Sequence, residues 1–109
     1  MRGKKLFSMK DIPTAVCCAS DTIAIGAIRA AKEIGLSVPE DISITGFDDI
    51  PIAEAYSPSL TTVRQPIIEM GIQSAQMLIH QIQDKENHSK EIRILPHEII
   101  VRESCLKMK

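Results

Sequence analysis

Two adjacent carboxylates, Asp48 and Asp49, stand at the end of the run Ile42-Ser43-Ile44-Thr45-Gly46-Phe47 and just before Ile50-Pro51. Paired acids at one place can hold a metal, run acid and base steps, or accept hydroxyl donors from a polyol. The run ahead of them alternates β-branched and polar residues and stops at glycine. That spacing predicts a buried strand which delivers both acids to the edge of a sheet. In open α/β sheets ligands bind outside the carboxyl ends of the strands, which is where these acids fall.

A second strand end supplies further polar atoms. Thr14-Ala15-Val16-Cys17-Cys18-Ala19 lies unbroken between Pro13 and Ser20-Asp21, the pattern of a strand buried on both faces. Ser20 and Asp21 both suit the N-cap of a helix. The positions Ile23, Ala27, Ala30/Ala31 and Ile34 then recur every three or four residues and predict a helix closed by Gly35. A short connection, residues 36–41 with Pro39, leads into the strand at 42–47, so two strands flank one helix with loops of βαβ length. Such a crossover is right-handed and makes the strands parallel. Both strand ends therefore point the same way, and Ser20/Asp21 and Asp48/Asp49 converge on one rim.

Further along, residues 52–56 predict a short helix ended by Ser57-Pro58-Ser59, and Leu60-Thr61-Thr62-Val63-Arg64-Gln65 a strand of high β propensity. Pro66 fits the first position of a helix running to about Asp84, with Ile68, Gly71/Ile72, Ala75, Leu78/Ile79 and Ile82 as its apolar stripe. Residues 85–90 read as a polar loop. Residues 92–101 alternate around Leu95-Pro96, where the proline confines the strand to a sheet edge or splits it. Residues 102–109 read as a solvated tail. At the other end, residues 1–12 read as the last turn of a helix whose body lies upstream, with Arg2, Lys4, Lys5 and Lys10 as its solvated end.

Composition removes several function classes. With 109 residues the chain is one small domain or part of one. Thirteen basic and fourteen acidic residues, net charge −1, leave no footprint for phosphate backbones, and one Tyr and two Phe offer little stacking on bases. No apolar run approaches bilayer length and no secretory leader is recognisable, so the expectation is a cytoplasmic chain without membrane contact. Cys17, Cys18 and Cys105 have neither metal-ligand spacing nor the look of a disulfide framework. His80, His88 and His97 share no metal-ligand spacing either. No nucleophile and base pair or phosphate loop stands out, so the expectation is a non-enzyme without cofactor or metal.

Several stretches together resemble the effector-binding core of lactose/galactose-repressor-type bacterial transcription regulators. They are Pro13-Thr14-Ala15-Val16 leading to Ser20-Asp21 and Ala24-Ile25-Gly26-Ala27; Gly35-Leu36 with Val38-Pro39-Glu40-Asp41; and Gly46-Phe47-Asp48-Asp49-Ile50-Pro51. To these add Leu60-Thr61-Thr62-Val63-Arg64-Gln65-Pro66 with Met70-Gly71, and the closing Leu95-Pro96-His97 with Val101-Arg102-Glu103-Ser104. They cover nearly all of residues 13–105. The resemblance implies an α/β fold, a parallel sheet flanked by helices, as in the C-terminal lobe of a type I periplasmic-binding-protein-like domain. It places that lobe at 13–105, between the helix end at 1–12 and a tail at 106–109. It also implies that DNA is read by a helix-turn-helix region absent from this chain.

The same resemblance assigns roles by position. Asp48 takes the place of the carboxylate that holds a hydroxyl-bearing effector, with Gln65 second. Since neighbouring side chains alternate sides, Asp49 is read as the cap of the turn before Pro51. Ser20 stands where relatives often carry Asn, and its hydroxyl reaches less far. Asp21 is either pocket or helix cap. Ile67 and Met70 stand where relatives place apolar side chains against the effector, with plain core burial as the alternative. Ile25, Ile28 and Tyr56 are candidates for a two-fold homodimer interface, unless the isoleucines pack on their own sheet. The expected function is thus sensing of a small molecule, a sugar or sugar-like compound, and dimerisation within a transcription regulator. The alternatives are a lobe of a periplasmic sugar-binding transport protein, or a carboxylate-dependent enzyme using Asp48 and Asp49.

Overall fold

The computed structural model describes Phe7, residues 11–84 and residues 90–108. Most of the expected helix end at 1–12, including Arg2, Lys4, Lys5 and Lys10, lies outside the described residues. So do residues 85–89 of the expected polar loop, with His88, and Lys109. The described elements run β1 (Ala15–Cys17), α1 (Asp21–Glu33), β2 (Ser43–Thr45), α2 (Pro51–Ala55), β3 (Thr62–Arg64), α3 (Ile67–Gln83) and β4 (Glu98–Ile100). The chain divides into two compact units, residues 1–64 with 98–109, and residues 65–97. The stretch 13–105 expected as one lobe therefore takes in both.

In the first unit β1 and β2 pair in parallel, Ala15 opposite Ser43 and Cys17 opposite Thr45. Parallel bridges from Thr45 to Thr61 and from Asp48 to Arg64 carry the pairing onward to β3, which β4 joins antiparallel. The crossover helix α1 forms as the sequence predicts. Ser20 caps it by accepting from the Ile23 amide at 3.2 Å, and the chain leaves it through Gly35 at φ 85°, a backbone that glycine adopts without steric cost. Ala24, Ile28 and Ala31 recur on one face of α1 and are fully buried with Ile42 and Ile44 of the β2 segment, Ala53 and Leu60. Burying each of these isoleucines is worth about 1.5–3 kcal/mol.

Several expectations need correction. The 14–19 stretch is not buried on both faces: Ala15 and Cys17 are exposed and Val16 is half-buried. Among the described residues β1 pairs with β2 alone, so it is an edge strand. Ile28, a candidate for the dimer interface, is 0% exposed and belongs to the core. Ile25 and Tyr56 are half-buried; the Lys32 ammonium sits 5.7 Å from the Tyr56 ring centre, a cation–π distance.

The tail expected at 102–109 is not merely solvated. Ser104 is 0% exposed. Its hydroxyl donates to the Ile44 carbonyl at 2.5 Å and accepts from the Thr61 amide at 2.9 Å. Its own backbone carbonyl accepts from the Ile44 amide at 3.0 Å, so the closing segment stitches β2 to the chain leading into β3. Leu106 is tied as well, its amide donating to the Ser43 hydroxyl at 3.0 Å.

The second unit holds α3 and the extended segment after it. Pro66 precedes α3, as its missing N–H allows. The predicted stripe is helical but exposed, with Ile68 81% and Ile82 62% accessible, because among its described residues the unit contains no other helix or strand to cover it. Only Glu98–Ile100 of the expected 92–101 strand forms, and Pro96, having no N–H for a ladder, lies upstream of it.

Ser104→Ala leaves the Thr61 amide and Ile44 carbonyl without their shared side-chain partner in a buried place. We expect it to lower stability by about 1–3 kcal/mol, read from urea unfolding as a lower midpoint at unchanged slope. A midpoint equal to that of the parent would show that the closing segment does not hold the sheet.

Candidate functional site

The parallel pairing sets the carboxyl ends of β1 and β2 at one margin, and hydrogen bonds continue past the strands. The Cys18 amide donates to the Thr45 carbonyl at 2.9 Å and the Asp21 amide to the Phe47 carbonyl at 3.1 Å. Asp48 and Asp49 follow in a left-handed turn, with φ of 109° and 57°. A left-handed backbone costs a non-glycine residue about 1–3 kcal/mol and persists only where the surroundings hold it.

The surroundings hold it at each amide. The Asp48 amide donates to the Val63 carbonyl at 2.9 Å, the Asp49 amide to the Thr62 hydroxyl at 3.4 Å, and the Ile50 amide to Asp21 Oδ2 at 2.7 Å. The other Asp21 oxygen accepts from the Thr62 hydroxyl at 2.6 Å. Asp21 is 1% exposed. Both its oxygens are engaged inside the fold, so its reading as a pocket residue gives way to a structural one. Its reading as the cap goes too, since Ser20 performs that task. Ser20, half-buried, has its hydroxyl drawn to the Ile23 amide.

Asp49 is not a helix cap either. Ile50 stands at the N-cap of α2, without a side-chain cap bond. The Asp49 carboxylate instead meets Arg102 Nη1 at 2.7 Å through Oδ1 and Arg64 Nε at 2.7 Å through Oδ2. Arg102 Nη1 also donates to the Leu60 carbonyl at 3.0 Å. The Arg102 guanidinium, with Arg64 adding to it against the opposing effect of burial, holds the Asp49 carboxyl below the usual carboxylate range. One acid of the pair is thus neutralised by two arginines. Asp48 is half-buried at the same rim.

Gln65, Ile67 and Met70 belong to the second unit. There Gln65 is half-buried and its carbonyl accepts from the Ile67 amide at 2.9 Å. Ile67 is 63% and Met70 40% exposed, so core burial does not account for either. Reading the sequence assigns no role to Thr62, Arg102 or Ser104. The only signal was their membership of the resembling pieces, because their partners lie more than forty residues away. Among the described residues no group of three His, Cys, Asp or Glu side chains is placed to hold a metal ion. Cys17, Cys18 and Cys105 are free thiols; burial, and after it Cys17, pushes the Cys18 thiol up.

Because the folded Asp49 carboxyl titrates below its unfolded value of about 3.9, its ion pairs add stability that is present above that value and lost as pH falls through the folded one. Arg102→Met should cost about 1.5–3 kcal/mol at neutral pH. The gap from the parent should narrow below about pH 4. Denaturant melts across acid pH check this; a gap that stays constant down to the acid limit would remove Asp49 as the partner that matters.

Residues 1–105 match the model of the periplasmic binding protein-like domain family. The chain is 41% identical over 108 residues to the HTH-type transcriptional repressor PurR of Vibrio vulnificus, covering 99% of this chain and 32% of that protein. Among solved structures it superposes on a LacI family transcriptional regulator from Enterococcus faecium with bound ribose, at TM-score 0.82 and 38% identity, over 98% of this chain and 40% of the other. It superposes likewise on the lac repressor dimer bound to operator and an anti-inducer, at TM-score 0.86 and 33% identity, over 97% and 36%. The chain spans about a third of the length of the curated relatives it matches. With strand, crossover helix and shared rim in place, and the family match running from residue 1 to residue 105, the chain belongs to the periplasmic-binding-protein-like domain family, in the company of LacI-type transcription regulators.

Proposed function

We propose that this chain is the effector-sensing and dimerisation part of a bacterial LacI-type transcription regulator acting in the cytoplasm, and that its effector is a sugar or a sugar-like polyol. The observation that carries this reading is the left-handed turn at the carboxyl margin of two parallel strands. It places Asp48 at that margin, next to Asp49, whose carboxylate is held by Arg102 and Arg64. An ionised carboxylate accepts two hydroxyl donors at once with charge-assisted strength, and a site built this way rejects analogues that lack those hydroxyls. The relative that binds ribose supports a polyol as the ligand class.

In this reading the protein binds and does not catalyse. Gln65, Ile67 and Met70 are further proposed effector contacts, and Ser20 contributes less because its hydroxyl caps α1. Ile25 and Tyr56 are proposed for a two-fold interface of the kind implied by the lac repressor dimer. DNA would be contacted by a helix-turn-helix region outside this chain. Effector binding would change DNA affinity to the extent that its contacts differ between two conformations of the complete regulator.

One wall of a pocket binds weakly, so amide shifts during titration with D-ribose are the suitable measure. Shifts should centre on residues 46–50, and Asp48→Asn should weaken the response roughly tenfold or more, the loss of charge-assisted bonds. An Asp48→Asn chain that responds like the parent would contradict the assignment.

A further inference from the structure

Asp21 is the least exposed carboxylate among the described residues, at 1%, and nothing in the reading above uses it. Burying a charge is costly unless it is fully hydrogen-bonded. Helix capping does not explain the burial, because Ser20 caps α1. The fold nevertheless clears a space for it. A Cβ on Gly46 would collide with Asp21 Oδ1 and come within 2.8 Å of Leu60 Cδ2, so only glycine lets the chain leaving β2 pass this close to the carboxylate. The N-terminus of α1, where Asp21 sits, favours its negative charge.

The two oxygens reach separate parts of the rim. Oδ2 takes the Ile50 amide at 2.7 Å and Oδ1 the Thr62 hydroxyl at 2.6 Å. Asp48 and Asp49 lie between two anchors, the Asp48 amide on Val63 of β3 and the Ile50 amide on Asp21 of α1. Releasing the second anchor would free the Ile50 side of the turn and loosen the left-handed backbone that leads into it.

We propose that Asp21 is a positioning residue, which fixes the direction of Asp48 through the Ile50 amide and the Thr62 hydroxyl; this rests on the reading of Asp48 as the effector contact. Affinity at Asp48 then depends on a carboxylate that does not touch the effector, because a preorganised contact loses less freedom on binding.

Amide hydrogen exchange and D-ribose titration of the 109-residue chain test this together. In Asp21→Ala the Ile50 amide should exchange roughly tenfold faster, with the Ile28 and Ile44 amides unchanged. In Asp21→Asn, whose amide oxygen still accepts from Ile50, protection should persist. Should Asp21→Ala fail to fold, Thr62→Val, which keeps the shape but removes the hydroxyl, is expected to give a smaller rise at Ile50, together with one at the Asp49 amide, which loses the hydroxyl it donates to, and none at Ile28 and Ile44. In the titration Asp21→Ala should weaken the ribose response as much as Asp48→Asn does, and the double variant no further. Unchanged Ile50 exchange, a rise in step with Ile28 and Ile44, or additive losses in the double variant would overturn the proposal. Exchange needs no ligand, so a failure there leaves the effector reading standing. A parent chain silent toward ribose would overturn that reading, and the positioning role with it, while leaving the anchored turn in place.

Discussion

A carboxylate sealed inside a protein must have its lone pairs satisfied, and the Asp21 carboxylate meets that demand with one backbone amide and one hydroxyl. Those two bonds join the start of α1 to the turn after β2 and to β3. Three segments far apart in sequence are thereby brought into one register at the carboxyl margin of the sheet. Gly46 makes the approach sterically possible, and Ser20 releases Asp21 from the capping task that its position would otherwise give it. The left-handed turn at Asp48 and Asp49 is the consequence, since neither residue would choose that backbone unaided.

A second cluster closes the turn from the other side. Arg102 bridges Asp49 to the Leu60 carbonyl, and Arg64 joins from β3. The backbone of the same closing segment bonds to Ser59 and Ile44. The first unit is therefore completed by residues that arrive after the excursion of the chain through 65–97. Of the two adjacent acids, Asp49 is held by both arginines. In this domain of the periplasmic-binding-protein-like family the arrangement gives a polar margin held in place by the chain's own hydrogen bonds and ion pairs.

The shared margin was legible in the sequence because a βαβ crossover leaves little choice of hand or strand direction. The N-terminus of α1 and its glycine exit were legible for the same local reasons. What escaped was everything decided at long range. Asp21 beside Ser20 satisfies capping preferences equally well on paper, and only the depth of Gly46 and Thr62 beneath it separates the two. Asp49 before Ile50-Pro51 looks like a cap until Arg102 is found 53 positions later. Ile28 fits an interface or a core until its neighbours are known. The stripe of α3 was correctly read as helical, but periodicity cannot say what covers a face, and among the described residues of its own unit no helix or strand does.

The central claim is that Asp21 holds the Ile50 amide across the rim. The direct measurement is the through-hydrogen-bond scalar coupling between the Ile50 amide nitrogen and the Asp21 carboxyl carbon in a uniformly labelled chain. A cross-peak linking the two nuclei is the predicted result. No coupling, with the Ile50 amide exchanging as fast as an exposed loop, would mean that the two strand ends are not fastened to each other in this way.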